Sequence, residues 1–439
     1  MTKRALNFKL EYGKEEVTPY AGLGLYGEMF KALGLAKEIN MILPKPGSGK
    51  GFEPAEYVKP LVMMFIGGGK YIEDIRKIQA DKGLRKICNI EEIPGADAIG
   101  DWLRRVGWRK AEKLNEVNDN FTRRIIKKSV LNEFTLDIDA TEIPADKYYA
   151  EYTYKGNKGY MPLLGFIPEL DWCCGYEFRA GNVAPQDKNY EFTKGIMELV
   201  KGVGKTIKRF RSDSAGYQAR LFNYLNGEGA KYTITADQDE AVKGLINQLS
   251  EGGSWKEVNN RDGIKTDREY CETVHSMEKT GHSFRLVVQR WKNPEQDLFK
   301  RTSEYCYHVI ATNYLEEEKN AQEVIRWHNG RSNSENYNKE LKSGFNLDYM
   351  PCGELAANAV WFGIGILAYN LFIASKIYLF PRGWIKKTIT TVRWQFIQLA
   401  GRIIRRSRYV ILRICGALRE TFEMYRQARE ICKEMQFIL

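Results

Sequence analysis

The stretch Phe134-Thr-Leu-Asp137-Ile-Asp139-Ala-Thr141 decides the fold. Its apolar and polar side chains alternate with a period of two, as a β-strand requires. Asp137 and Asp139 then project from one face of that strand. Carboxylates are poor strand formers, and two neighbours on one face repel. A bound cation would relieve that repulsion; an exposed acidic face is the plainer alternative.

Outward from this strand, residues 161–167 and 172–179 read as two further strands separated by turn signals. A helix over 190–203, a strand over 207–213, a helix over 217–225 and a strand over 231–236 follow. Three strands followed by alternating helices and strands predict a mixed α/β layer over 131–236. Residues 1–130 read as an all-α domain, with Leu23, Leu25, Met29, Phe30, Leu33 and Leu35 at helical spacing. The capped segment from Asp97, which carries Arg104 and Arg105, suits either the second helix of a helix-turn-helix or an ordinary bundle helix. Residues 237–314 are polar with strand-like pieces and predict a β-rich insertion. Residues 315–375 return to helix and end in an apolar run, 359–374, that contains Asn370. That run is shorter than the roughly 20 residues a membrane span needs, and it reads as a core helix. Residues 376–439 predict a basic helical C-terminal region.

Charge is unevenly distributed. The 439-residue chain has 67 Lys and Arg against 56 Asp and Glu, a formal +11. Fourteen Lys and Arg against four Glu fall between Lys376 and Leu439, a net of +10, which leaves +1 for everything before. A basic tail on a near-neutral body suggests a polyanion, either nucleic acid or an acidic membrane surface. The first residues lack the apolar segment of a signal peptide, and the eight cysteines have no regular spacing; reduced thiols in a cytoplasm are expected. A 43% hydrophobic content argues against a disordered chain.

Two further segments carry candidate chemistry. Asp213 closes the strand over 207–213, ahead of Ser214-Ala215-Gly216. Carboxyl ends of strands are where α/β layers place ligands, although an N-cap role for Asp213 is the simpler alternative. In the segment from Arg326 to Lys342, Arg331, Glu335, Lys339 and Lys342 would share one stripe of a continuous helix; a solvated face with a Glu335–Lys339 pair is the alternative. Three carboxylates can hold two Mg²⁺ about 3.5–4 Å apart, and hard oxygen ligands suit Mg²⁺ rather than Zn²⁺. Gly47-Ser-Gly-Lys50-Gly lacks the spacing of a phosphate-binding loop and reads as a linker. Cys271, His275, His282, Cys306 and His308 contain no Cys-x2-Cys pair, which argues against zinc.

The ordered set of motifs resembles a DDE transposase of a bacterial insertion sequence, most like the insertion-sequence-1380 group. Asp139-Ala-Thr141 matches the first motif and Arg211-Ser-Asp213-Ser-Ala-Gly-Tyr217 the second. The Tyr-x2-Arg-x3-Glu-x6-Lys signature is present as His328, Arg331, Glu335 and Lys342, with His328 in place of the tyrosine. The resemblance implies a ribonuclease-H-like core in two parts, 131–236 and 315–375, around the insertion at 237–314. It implies that Asp139, Asp213 and Glu335 bind Mg²⁺, with Mn²⁺ as a substitute, and that Arg331, Lys342 and His328 lie against DNA. Asp137 is then a supporting candidate. Trp255 or Trp291 of the insertion would stack on a flipped base, unless they merely pack the sheet. Arg405 and Arg406 of the tail would contact the DNA backbone. The implied activity is strand cleavage at element ends and attack of the freed 3′-hydroxyl on target DNA. The implied partners are double-stranded terminal inverted repeats, bound by the helical domain 1–130, and target DNA, held by a dimer, with no nucleotide cofactor and no membrane. A nuclease or resolvase that cuts without joining, and a non-catalytic DNA-binding relative, are the alternatives.

Overall fold

The computed structural model describes residues 9–47, 51–106, 108–260, 262–294, 303–416 and 418–438. Ser48, Gly49 and Lys50 of the glycine-rich linker lie outside them. A short strand, β1 (Val17–Thr18), precedes seven helices: α1 (Leu23–Ala32), α2 (Leu35–Ile42), α3 (Pro54–Gly67), α4 (Ile75–Ala80), α5 (Lys82–Ile87), α6 (Ala96–Arg105) and α7 (Trp108–Lys128). Pro54 opens α3, and the Glu56 carboxylate accepts the Glu53 amide at 2.7 Å, closing a reciprocal cap. The Asp97 segment forms α6. It buries Ile99, Trp102 and Leu103 and leaves Arg104 and Arg105 outside, with Tyr57 stacked on Trp102 at 4.7 Å.

The quoted stretch is strand β2 (Glu133–Ala140). A three-stranded flap follows, from β3 (Ile143–Pro144), β4 (Glu151–Tyr152) and β5 (Lys158–Tyr160) in the order β3-β5-β4. β6 (Leu163–Ile167) and β7 (Trp172–Glu177) then complete an antiparallel meander with β2. Helix α8 (Asn189–Lys201) leads to β8 (Thr206–Ser212), and α9 (Ala219–Gly227) leads to β9 (Lys231–Thr235). β8 runs parallel to β2, and β9 parallel to β8. Gly165 and Gly175, paired across β6 and β7, let α8 lie close to the sheet. A Cβ at either would come within 2.7–2.9 Å of the Ile196 side chain.

Two expectations change beyond β9. Residues 237–314, read as a β-rich insertion, carry four strands that join the core sheet and do not make a sheet of their own. They begin with helix α10 (Glu240–Gly252), started by the Asp239 side chain on the Val242 amide. Four antiparallel strands follow: β10 (Lys256–Asn259), β11 (Lys265–His275), β12 (Phe284–Lys292) and β13 (Tyr305–Thr312). β13 pairs with β9, so one nine-stranded sheet runs β10-β11-β12-β13-β9-β8-β2-β6-β7. The long helix expected after Leu315 is likewise broken. It consists of α11 (Ala321–Asn329), a 3-10 turn (Gly330–Ser332), α12 (Asn333–Lys339) and a π-helical turn (Glu340–Gly344).

The apolar run lies in α13 (Leu355–Tyr378), long and apolar enough to cross a membrane, yet 94% of its apolar window is buried in the protein. It packs against α3, α6, α7 and β7. Asn370 explains the single amide in that run: its side chain donates to Cys173 O at 2.9 Å and accepts from Cys173 N at 3.3 Å. β7 is the edge of the sheet, and Asn370 pairs main-chain groups that no further strand covers. Asn370→Leu is expected to lower stability by about 1–3 kcal/mol, because it strands a buried N–H and C=O together. Equilibrium denaturation measures this.

The C-terminal region is not wholly helical. After the short α14 (Ile389–Val392) come β14 (Ala400–Arg405) and β15 (Val410–Cys415), an antiparallel hairpin, and only then α15 (Arg419–Ile438). The β-branched residues Ile403, Ile404, Val410, Ile411 and Ile414 favour this strand pair over a helix. β14 also pairs with β1, and Tyr425 of α15 donates to Ala21 O at 3.1 Å, so this region is knitted to the N-terminal helices. Arg405 and Arg406 therefore lie at the hairpin end, not on a helix. Arg405 is paired with Glu16 at 2.7 Å.

Candidate active site

The parallel strands β2, β8 and β9 end at the same edge of the sheet. Ile138 pairs with Ser212, so the next residues, Asp139 and Asp213, emerge side by side. This juxtaposition is electrostatically costly. Burial, then the charge of Asp213, pushes the Asp139 carboxyl up to about 6, while Arg331, Asn338 and Lys342 pull in the other direction. Asp213 does both things foreseen for it. It stands at the strand end beside Asp139, and its Oδ1 accepts the Ala215 amide at 3.1 Å, capping the 3-10 turn Ser214–Gly216.

Asp137 takes a different part from Asp139. It is fully buried, and both its oxygens accept from Arg211, each at 2.7 Å. The strand-face repulsion is thus answered at Asp137 by a guanidinium. Arg211 also donates Nη1 to Trp327 O at 3.0 Å and lies 4.8 Å from the centre of the Trp327 ring. Gly330 fits directly beneath it, since a Cβ there would come within 2.5 Å of Arg211 Nη1. Asp137 and Arg211 therefore fasten the end of α11, and the turn that carries Arg331, to the strand ends.

From that turn Arg331 reaches Asp139, with Nη1 at 3.5 Å from Oδ1. Asn338, on α12, donates to the other Asp139 oxygen at 2.6 Å. Sequence spacing did not single out Asn338, although it lies three residues after Glu335 and hence on a neighbouring part of the same helical face. Lys342 lies in the π-helical turn and donates to Glu142 O at 2.6 Å, at the root of the flap. Burial foremost, and the nearby Lys155, lower its pKa.

The expected stripe does not survive. Arg331 lies in the 3-10 turn and Glu335 in the helix that follows it: Arg331 leans onto Asp139 while Glu335 is exposed. Glu335 borders a cavity of about 650 Å³ together with Arg331, His328, Gln289, His308 and Arg268. Asp213 borders a different one of about 690 Å³, with Asp237 and with Tyr152 and Tyr154 of the flap. Among the described residues no three His, Cys, Asp or Glu side chains converge into a group able to hold a metal ion. This includes the Cys271 and His308 set.

His328 does not meet the surface as a DNA-contacting residue would. It is 3% exposed, and its Nε2 lies 3.0 Å from Thr235 Oγ1, tying α11 to the end of β9. Burial, then His308 and Arg331, hold its pKa well below the usual value, so the ring is neutral. The two tryptophans separate by face. Gln289 pairs with His308 on the side of β12 and β13 that borders the Glu335 cavity. Trp291 shares that side by strand alternation, and the cavity-lining Arg268 lies 4.3 Å from its ring centre. Trp255 is on the opposite side, covered by Arg290 at 3.9 Å and bonded to Leu249 O.

A search of curated proteins gives no match. Among solved structures, the chain is similar to the piggyBac transposase in its synaptic complex with hairpin DNA. That similarity has a TM-score of 0.48 at 12% identity and covers 88% of this chain and 82% of that one. The family model described as "Transposase DDE domain group 1" matches residues 3–436. It spans β2, β8 and α12 with their acidic residues, and nearly everything around them. The chain belongs to the transposase DDE domain family, group 1.

Proposed function

We propose that this protein is the transposase of an insertion sequence, cutting DNA at the element ends and joining the freed 3′-hydroxyl to target DNA. The observation that carries the proposal is the side-by-side placement of Asp139 and Asp213 at the ends of two parallel strands. The strands β7-β6-β2-β8-β9 supply the ribonuclease-H-like core, and β10–β13 extend it. Asp139 and Asp213 offer hard carboxylate oxygens, and the raised proton affinity of Asp139 marks a place where a second positive charge is favoured. Asp139 and Asp213 would hold Mg²⁺, or Mn²⁺ in its place, and Glu335, which stands clear of that pair in this structure, would have to move toward them to complete the set. When bound, the metal ions supply Lewis acidity to the attacking and leaving oxygens of a phosphoryl transfer.

The remaining work falls to the chain's own residues. Asn338 fixes the Asp139 carboxylate and anchors α12, which carries Glu335. Arg331 and Lys342 flank the same carboxylate and present a guanidinium fork and an ammonium to the scissile phosphate. Trp291, on the cavity side of the sheet, is the better placed of the two tryptophans to stack on an unpaired base; Trp255 packs against α10. Double-stranded terminal repeats and target DNA are the partners, held by two copies of the chain in synapsis, within the bacterial cytoplasm.

Divalent metal supplies one test. The Asp139 carboxyl binds its proton up to about pH 6, so a cation competes poorly below that pH and freely above it. Millimolar Mg²⁺ or Mn²⁺ is expected to raise Tm by roughly 1–3 °C at pH 7.5 and by little at pH 5. Asp213→Asn should abolish the pH 7.5 shift. A shift that persists in that variant places the metal elsewhere. Joining is tested with a labelled duplex ending in the DNA that flanks the gene: a strand-transfer product supports a transposase, and cleavage without joining supports a nuclease or resolvase.

A further inference from the structure

The hairpin β14–β15 places two arginines directly opposite one another. Arg402 pairs with Arg413 across the strands, on the face that strand alternation also gives to Ile404 and Ile411. Side chains so paired stand about 4.5–5.5 Å apart at Cβ, and like charges there destabilise the pair. Both are exposed. Among the described residues neither has a carboxylate or hydrogen-bond partner for its side chain. Val17, the neighbour of Arg402 on β1, is exposed and uncharged. The connecting turn adds Arg406, Arg408 and Tyr409, all exposed.

The other face of the hairpin is different. Ile403 packs inward near Gly83, and Arg405 is neutralised by Glu16, which also takes Lys86. The same ribbon therefore pairs Arg405 with a carboxylate and leaves Arg402 and Arg413 facing one another. A polyanion laid on the outer face would turn that repulsion into attraction.

We infer that the outer face of the β14–β15 hairpin, with Arg402 and Arg413 at its centre and Arg406 and Arg408 at its tip, docks the phosphate backbone of duplex DNA. The choice of DNA as the polyanion rests on the transposase reading. The contact is sequence-independent, because guanidinium–phosphate pairs position a duplex without reading its bases. It lies on the N-terminal-helix side of the fold, through β1 and α5, and is separate from the Asp139 site.

The test uses the full chain without divalent metal, so it reads binding and not cleavage. Binding of two unrelated labelled duplexes is followed by fluorescence anisotropy over a salt series. For Arg402→Gln/Arg413→Gln the log–log salt slope is expected to fall in magnitude by about 2, at 0.9 per phosphate contact, equally on both duplexes. Affinity near 0.1 M salt should weaken by roughly tenfold to a hundredfold. Without DNA, Tm should hold or rise. Arg402→Glu is the second variant: it converts the like-charged pair into an ion pair, so it should be more stable and still bind DNA more weakly. An unchanged slope for both variants would overturn the inference. So would loss of binding only to vesicles containing anionic lipid, or aggregation with DNA binding intact, which would assign the arginines to guarding the free edge of β15. Failure to obtain joined DNA products, in contrast, would count against the proposed reaction and leave the binding result standing.

Discussion

Replacing Arg211 by alanine is expected to cost the fold about 3–5 kcal/mol, the usual result of leaving one member of a buried ion pair alone. Asp137 would keep a carboxylate in a fully buried position with neither of its two 2.7 Å bonds. Trp327 O would lose its donor, and the ring would lose the guanidinium beside it. Because that carbonyl lies four residues before Arg331, the damage should extend to the site. Arg211→Lys tests this second part, since it keeps the charge but cannot reproduce the bidentate pair and the third bond together. It should retain most of the stability lost in the alanine variant yet cleave DNA more slowly. Chemical denaturation and single-turnover cleavage separate the two effects. A fully active, fully stable Arg211→Ala protein would show that the clamp does neither job.

The second large effect is on chemistry. Under the proposed function Asp139→Asn removes one of two adjacent carboxylates and should slow strand cleavage by on the order of 10³-fold, about 4 kcal/mol of transition-state stabilisation. Its effect on stability should have the opposite sign. The folded-state pKa of Asp139 is raised, to about 6, so the folded protein holds this proton more tightly than the unfolded chain. The ionised carboxylate therefore costs the metal-free fold nothing below about pH 4. The cost grows between pH 4 and 6 and is complete above 6, at on the order of 3 kcal/mol. Asparagine never ionises and keeps the shape of the side chain. Metal-free Asp139→Asn should thus match wild type near pH 4 and exceed it in Tm above pH 6. A variant both inactive and less stable at pH 7.5 would place Asp139 in the structure, not in the chemistry.

How much of this could be read from the residues differs from place to place. β2, β8 and β9 were legible because short alternating or apolar runs are bounded by turn residues, and their order placed Asp139 and Asp213 together. Helix α10 was obscured by polar surroundings, although Val242, Leu245, Ile246 and Leu249 keep helical spacing after the Asp239 cap. The β14–β15 hairpin was obscured by charge, since Arg402, Arg405 and Arg413 interrupt the run of β-branched residues that marks a strand. The stripe through Arg331 and Glu335 assumed one continuous helix. The approach of Gly330 to Arg211 accompanies a turn that no local periodicity announces. Partners distant in sequence were the least legible. The pairing of Asp137 with Arg211, and of Asp139 with Asn338, depends on strand register and helix placement that spacing along the chain does not encode.

Glu335 carries the central test of the metal centre. It belongs to the expected set of three carboxylates, yet it borders a different cavity from Asp213 and stands clear of the adjacent pair. The decisive measurement is single-turnover cleavage by Glu335→Gln, in Mg²⁺, of a supercoiled plasmid carrying the DNA that flanks the gene. DNA binding by the same protein is measured alongside. Binding within about twofold of wild type and cleavage reduced on the order of 10³-fold are expected. Cleavage at the wild-type rate would contradict this, and would leave Asp139 and Asp213 without the third carboxylate on which the proposed metal centre depends.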